Sequence, residues 1–385
     1  MKMYLTKSIV LTIILAVIAC SQPSKLFITV SNPTEIERQN ETVVLNWANL
    51  TREASWLDSS NVAVLDSENN KELITQILEN DLLFQSNFKS NETKRFILFN
   101  TTSQKIVPES IVDAKFITPR EDVAWENDRI AYRIYGSKLA GDVLNGIDVW
   151  VKRVRYPIID KWYAGNALEG SQKISYHIDH GEGADFFTVG RSLGAGGCAI
   201  WKDDKIHQTS LFTSHKIIAK GPIRTKFIVS YEKDSINGQP FTEEKIYTLD
   251  AGNNLNRIDV SYNGLQVNKE VTIAVGLVKR KNIESFADDK LGLLSLWGLT
   301  NDDSANGYTG TGVLVPPAFF QEMNEDKDHY LIIGKSSPKK YFTYYAGACW
   351  TRSGDFKCAE DWNAYLKNFV LRLQKPLRIT ISTKK

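Results

Sequence analysis

The sequence predicts a mainly β protein, and three observations carry that expectation. Short runs alternate apolar and polar residues with a period of two: "KLFITVSNP", "ETVVLNW", "NVAVLDSENNKELI" and "KRFILFNTT". Turn residues separate them, as in "DSENN" and "SINGQP", the latter an Asn-Gly hairpin signal. Only one stretch, "AEDWNAYLKNFVLRLQ", has convincing helical spacing, through Trp362, Tyr365, Leu366, Phe369 and Leu373.

The early strands are short, and residues 25–118 read as a small β-sandwich. "TPREDVAWENDRI" then reads as a hinge. From residue 129 to 385 the strands lengthen and become aromatic: "RIAYRIYG", "GIDVWVKRVRYP", "TKFIVSYEKD", "EEKIYTLDAG", "LNRIDVSYNG", "EVTIAVGLVKR", "HYLIIGK" and "KYFTYYAGACW". So many long antiparallel strands require large stacked sheets, here a β-supersandwich that carries the site. The one helix packs on a sheet face, and "PLRITIST" returns as a final strand.

Residues 1–19 read as a signal peptide. Lys2 and Lys7 form a basic start, and Ile9 to Ile18 is an apolar run too short to span a bilayer. The segment ends Val17-Ile18-Ala19-Cys20, which resembles a bacterial lipobox. Cys20 is therefore expected to become a lipid-modified N-terminus, with residues 20–24 as a linker. This places the protein in the cell envelope, with the outer membrane facing the periplasm as the expected site. Net charge is +2, and no basic stripe suggests nucleic acid. Of the remaining cysteines, Cys349 and Cys358 are close enough to pair in an oxidising compartment; alternatively Cys198, Cys349 and Cys358 are all small buried residues.

The candidate chemistry concentrates in "SYHIDHGEGADFFTVGRSLGAGGCAI", residues 175–200. It holds two of the chain's five histidines, with three acids, an arginine and six glycines. Histidine exchanges protons near neutral pH, so His177 and His180 are candidate acid/base groups. Tyr163 and Tyr176 are candidate proton donors, and Arg191 a carboxylate partner. On a regular strand His177 and His180 point to opposite faces, which argues against a shared metal. No closed zinc pattern occurs elsewhere, and neither a metal nor a cofactor is expected. Ser192 lacks a nucleophile elbow, Cys198 has no neighbour to lower its pKa, and the paired glycines are not a P-loop.

In "GIDVWVKRVRYP" one face carries Asp148, Trp150 and Lys152, a mixture that suits either a sugar-binding concave face or a solvated outer face. Trp150 and Trp162 are candidate stacking surfaces for sugar rings. Trp350 and Arg352, within "YYAGACWTRSGDF", are read with Asp355 as a loop after a strand, which either closes one end of a cleft or is a plain strand terminus with an exposed loop.

"YRIYG", "GIDVWVKRVRYPIIDKWY", "SYHIDHGEGADFFTVGRSLGAGG", "GACW", "DWNAYL" and "PL" together resemble a family of exported bacterial proteins known as a domain of unknown function. It includes the ulvan oligosaccharide dehydratase. The resemblance covers most of residues 25–383 and is specific in 129–201. It implies a mutarotase-like antiparallel β-supersandwich and a hydro-lyase. The implied reaction removes water from a terminal uronic acid, leaving a 4,5-unsaturated sugar. In that chemistry Lys152, Arg155 or Arg191 neutralises the substrate carboxylate. His177 or His180 is the base, and Tyr163 or Tyr176 the acid. A polysaccharide lyase, which expels a sugar instead of water, would use the same residues. A non-catalytic glycan-binding lipoprotein and a mutarotase remain as alternatives.

Overall fold

In "LFITVS" every second side chain, Leu26, Ile28 and Val30, is fully buried. That period-two burial sets the first sheet. The computed structural model describes residues 24–102, 109–236, 238–265, 270–337 and 340–383. Residues 1–23, with the expected signal peptide and Cys20, lie outside the described residues, as does Asn237 of the Asn-Gly hairpin. The strands flanking Asn237 do pair, with Ile236 opposite Gln239.

The N-terminal unit is a two-sheet sandwich. One sheet comprises Arg378–Ser382, Leu26–Ser31, Thr93–Asn100, Val62–Asp66 and Lys71–Leu73, in that order. The other comprises Arg38–Asn46, Asp81–Phe88 and Thr75–Leu78. Val43, Leu45, Phe84, Phe96 and Leu98 fill the space between them. A short helix, α1 (Trp47–Glu53), follows the second strand, its first turn capped by the Asn46 side chain accepting from the Asn49 amide.

Two boundaries differ from the sequence expectation. Asp113–Ile117 pairs with Asp122–Glu126 and so belongs to the larger unit, not to a 25–118 sandwich. The last strand, Arg378–Ser382, pairs with Leu26–Ser31 and closes the N-terminal sheet, although 129–385 was expected to form one unit. Alternation identifies a strand but does not name its partner, and a weakly patterned edge strand carries little information about where it docks.

The larger unit is mainly β and antiparallel. Its main sheet runs in the order Phe212–Lys220, Arg224–Tyr231, Gln239–Asp250, Leu255–Asn263, Phe342–Trp350, Tyr308–Leu314, Leu293–Leu299 and Glu284–Asp288. Two five-stranded sheets cover one face of it. The front sheet contains Gly183–Ala184, Asp148–Lys152, Ile130–Ile134, Asp122–Glu126 and Asp113–Ile117. The rear sheet contains Lys205–His207, Ala195–Lys202, Val271–Val278, His329–Ser336 and Phe320–Glu325. Trp125, Tyr132, Val149, Cys198, Val275, Tyr247 and Tyr344 belong to one continuous core between the three sheets. This is the expected supersandwich.

The C-terminal helix α3 (Ala359–Gln374) lies on the opposite face of the main sheet. It buries Trp362, Leu366 and Val370, while Leu373 stays exposed. The sheet accommodates it through glycine. A Cβ at Gly310 would stand 2.8 Å from Trp362, and one at Gly312 2.8 Å from Leu366. A further helix, α2 (Ile159–Ala167), covers the front sheet; the sequence pattern did not predict α1 or α2. Cys198, Cys349 and Cys358 are all free thiols, so the Cys349–Cys358 pairing considered above does not form. Among the described residues no helix is long and apolar enough to cross a membrane.

Because Trp362 is fully buried against glycine-lined strands, Trp362→Ala is expected to cost about 3–5 kcal/mol of stability. Chemical denaturation checks this, and a loss under about 1 kcal/mol would contradict the packing role.

Candidate active site

The outer face of the front sheet is polar yet buried. Asp122, Glu126, Arg133, Asp148 and Lys152 are each between 0 and 4 % exposed. Their strand neighbours Trp125, Tyr132, Val149 and Val151 point the other way, into the core. The polar face is buried because α2 and the segment 174–185 lie over it.

Arg133 is its centre. Its Nε donates to the Asp148 carboxylate at 2.9 Å and its Nη2 to the Asp185 carboxylate at 2.8 Å. Nη1 approaches the Tyr176 hydroxyl at 3.5 Å. Trp150 lies 5.0 Å from the guanidinium. Burial opposes the charge on Arg133, but the adjacent Asp148, Tyr135 and Asp185 outweigh it and hold its pKa well above the usual arginine value. Burial raises the carboxyl of Asp148, against the pull of Arg133. Asp185 is raised well above the usual range, by burial first and then by the charge of Asp148. Two carboxylates thus share one guanidinium and titrate as a pair.

His177 is attached to this cluster from outside. Its Nδ1 is 3.1 Å from the Asp185 carbonyl oxygen and 3.5 Å from the Asp185 carboxylate. A carbonyl only accepts, so Nδ1 carries the hydrogen, and in the neutral ring Nε2 keeps its lone pair. The side chain is 61 % exposed. His180 is also exposed and lines a separate cleft of about 240 Å³ with Trp162, Tyr176, Ile178 and Glu182. Glu182 accepts from Lys161 at 2.7 Å and from the Trp162 indole at 3.2 Å. Although partial burial opposes it, those hydrogen bonds and one from Tyr156 hold its carboxyl below the usual range.

The histidine segment is not a strand. The Asp179 carboxylate accepts from the amides of Gly181 and Gly183 and folds residues 175–181 into turns. Only Gly183–Ala184 pairs with the front sheet, and a Cβ at Gly183 would meet the Val151 carbonyl at 2.0 Å. His177 and His180 are therefore separated by a turn, not by strand alternation.

Several expected site residues have other work. The Lys152 ammonium donates to Glu126 at 2.6 Å and to the carbonyls of Asn127 and Tyr156 at 2.9 and 2.8 Å. All three of its hydrogens are used, and burial lowers its pKa against the attraction of Glu126. Glu126 in turn accepts from the amides of Ile158 and Ile159, so the ion pair caps α2. Lys152 is thus a structural cation, not a carboxylate neutraliser. Trp150 and Trp162 are buried and stack on each other at 5.4 Å, with Tyr163 and Tyr176 packed on Trp150. Trp150 therefore presents no open face to a sugar. Tyr163 donates to Asp122 at 3.0 Å, and burial raises its phenol far above the usual value. Arg155 grips Asp355. Arg191 stands exposed, donating to the Gly141 carbonyl, and does not join the Arg133 cluster. Trp350 is buried, with the guanidiniums of Arg153 and Arg352 at 5.6 and 5.8 Å from its ring. Both arginines reach Asp179, so Arg352 ties the histidine loop to the end of the Trp350 strand.

The structure brings Tyr176, Asp148 and His177 together around Arg133, and Tyr176, Trp162 and His180 around the neighbouring cleft. Sequence reasoning missed Arg133, Asp185 and Glu182. The available signal was an arginine inside the apolar strand "IAYRI" and an acid inside "GADFF".

The family model described as "Domain of unknown function (DUF4861)" matches residues 30–379, and the chain belongs to that family. It is 30 % identical over 377 residues to "Uncharacterized protein P7" of Formosa agariphila, covering 92 % of this chain and 93 % of that one. Among solved structures it is similar to an α-mannosidase from Enterococcus faecalis V583, with a TM-score of 0.46 and 9 % identity. A glycosyl hydrolase family 38 protein from Enterococcus faecalis matches with a TM-score of 0.47 and 8 % identity. Each match covers 93 % of this chain, which spans 46 and 47 % of those two chains.

Two outcomes follow from the buried charges. Lys152→Ala leaves Glu126 buried and unpaired, so it is expected to cost about 3–5 kcal/mol while turnover per folded molecule stays unchanged. Denaturation and activity on one preparation check this; a large loss of specific activity at unchanged stability would restore a catalytic role. The second concerns pH. Raised native carboxyl pKa values mean that stability is lost as pH rises from about 4, the unfolded value, through the native ones. Asp148→Asn removes one such group and the repulsion on Asp185. The melting temperature of the variant relative to wild type should therefore improve as pH rises from about 4 to neutrality. A relative melting temperature that falls over that range would contradict the shared titration.

Proposed function

We propose that this protein is a carbohydrate-active eliminase, a hydro-lyase that removes water from the terminal uronic acid of ulvan-type oligosaccharides. The product is a 4,5-unsaturated sugar. The resemblance of residues 129–201 supports the reaction class, and one observation supports the residue: His177 is exposed, with Nδ1 held by the Asp185 carbonyl. Export and anchoring through Cys20, in the envelope facing the periplasm, belong to the same proposal.

The chemistry needs a base, a neutralised carboxylate and an acid. The C5–H bond of a uronate is weakly acidic because its electrons pass towards the carboxylate. His177 Nε2 takes that proton, with Nδ1 held on the Asp185 carbonyl at 3.1 Å. The C4–O bond then breaks, the C4–C5 double bond forms, and the departing hydroxyl takes a proton to leave as water. Tyr176 is the candidate acid. Its oxygen faces the Arg133 guanidinium at 3.5 Å. Tyr163 is bound to Asp122 and is the weaker choice.

Incubation with saturated uronic-acid oligosaccharides tests the reading. Growth of the ultraviolet band of a conjugated enoate with a mass loss of one water is the expected result. Chain cleavage without that loss would indicate a polysaccharide lyase, and binding without any product a glycan-binding lipoprotein. His177→Ala is expected to lower turnover roughly 10²–10⁴-fold. Its melting temperature should stay near wild type, because the ring is exposed. Near-normal turnover in that variant would remove His177 as the base.

A further inference from the structure

Most arginines at the front of this molecule are matched to carboxylates. Arg133 has Asp148 and Asp185, Arg155 has Asp355, and Arg153 and Arg352 have Asp179. Arg280 differs. Among the described residues its hydrogen-bond partner is the Thr309 carbonyl, reached by Nη2 at 3.2 Å. Its Nε is buried and has no hydrogen-bond partner among the described residues. Burial lowers its pKa, and Asp302 provides only a partial offset. A desolvated guanidinium left with an unused N–H is costly unless something arrives to pair with it.

Arg280 lines a cleft of about 370 Å³, within the rough range of 300–1,000 Å³ for small-molecule sites. Phe187 supplies an apolar wall, its ring 5.5 Å from the guanidinium carbon. Phe186 lines the same cleft and meets Trp350 edge-on at 6.3 Å. Lys279 and Lys281 also line it, Lys279 already held by Glu325 at 2.7 Å; Asp302 is the acid of the lining. The cleft is thus net cationic, with aromatic walls and a guanidinium whose Nε–H has no partner among the described residues. Its Phe186 follows Asp185, the residue that holds His177, directly in the chain.

We infer that the Arg280 cleft is a binding subsite for an oxyanion carried on a sugar, with the Arg280 fork pairing the anion and Phe187 facing the ring. The planar, two-toothed geometry of guanidinium favours a carboxylate, and a sulfate ester offers the same oxygen pair. The choice of a sugar carrier rests on the eliminase reading; the anion site itself rests on Arg280 and its surroundings.

The test is calorimetric titration of the full chain with glucuronate, with a sulfated neutral monosaccharide and with methyl glucoside. Glucuronate is expected to bind, methyl glucoside not, and Arg280→Gln to weaken glucuronate roughly 10- to 100-fold. Preferential binding of the sulfated sugar with the same dependence on Arg280 would assign the subsite to sulfate. Hydrogen exchange of the wild-type protein with glucuronate should show protection at 186–189 and 278–281, a readout that does not depend on the variant folding. Unchanged affinity in Arg280→Gln, a footprint elsewhere, or no anion binding by the wild type would overturn the inference. Binding that depends on Arg280 without any elimination product would leave the subsite standing and remove the eliminase. Elimination with unchanged kinetics in Arg280→Gln would do the reverse.

Discussion

Arg133 is the residue on which the front of this molecule depends. A guanidinium only 4 % exposed cannot stay charged there without close anions, and Asp148 and Asp185 provide them. Their origins differ. Asp148 comes from the adjacent strand and is fixed by the sheet, whereas Asp185 comes from the end of an irregular segment. The ion pair therefore does more than neutralise charge: it pins the segment 174–185 to the sheet. Because the Asp185 carbonyl also receives His177 Nδ1, the same contact sets the orientation of the imidazole. Breaking a buried pair of this kind by removing one partner typically costs about 3–5 kcal/mol, enough to keep the loop in one place.

A second buried ion pair shows how similar chemistry can be purely architectural. Glu126 and Lys152 lie on the same sheet face as Arg133, equally buried and tightly bonded. Yet each polar atom there is used inside the protein, on the amides that begin α2 and on two carbonyls. A polar face on a strand is ambiguous for this reason. It can meet solvent, a ligand, or a second layer of protein whose backbone ends need partners. Here it meets the third, and the tryptophans that suggested sugar stacking stack on each other.

The strands and α3 were legible because their burial follows a simple period, two for "LFITVS" and 3.6 for "AEDWNAYLKNFVLRLQ". What was not legible depends on partners distant in sequence. Helix α2 begins without a side-chain cap of its own, since Glu126 caps it from a strand about thirty residues earlier. The final strand docks on Leu26–Ser31, a pairing no local pattern states. "SYHIDH" alternates like a strand but is folded by Asp179 reaching forward to two glycine amides. For the candidate site, the histidine-rich stretch pointed to the right region. Lys152 was attractive through its face shared with Asp148 and Trp150, and Arg155 and Arg191 through residue type; their partners assign Lys152 and Arg155 to structure.

The segment from Tyr176 to Val189 runs between the two clefts. Its first half, through Tyr176, Ile178, His180, Glu182 and Gly183, lines the cleft beside α2. Its last four residues, Phe186 to Val189, line the Arg280 cleft. Asp185 lies between the two halves and is held by Arg133. A single buried contact therefore positions residues on both clefts, with His177 attached at the point of division. Asp179 adds a second restraint, because Arg352 ties it to the end of the Trp350 strand and Arg153 to the end of the Asp148–Lys152 strand. A loop restrained at both positions presents its histidine without first having to be ordered, which avoids the entropy that a free loop would lose on meeting a ligand. The buried charges of this face thus hold the segment in one place and leave His177 exposed on it, while Arg280, largely desolvated, lines the second cleft.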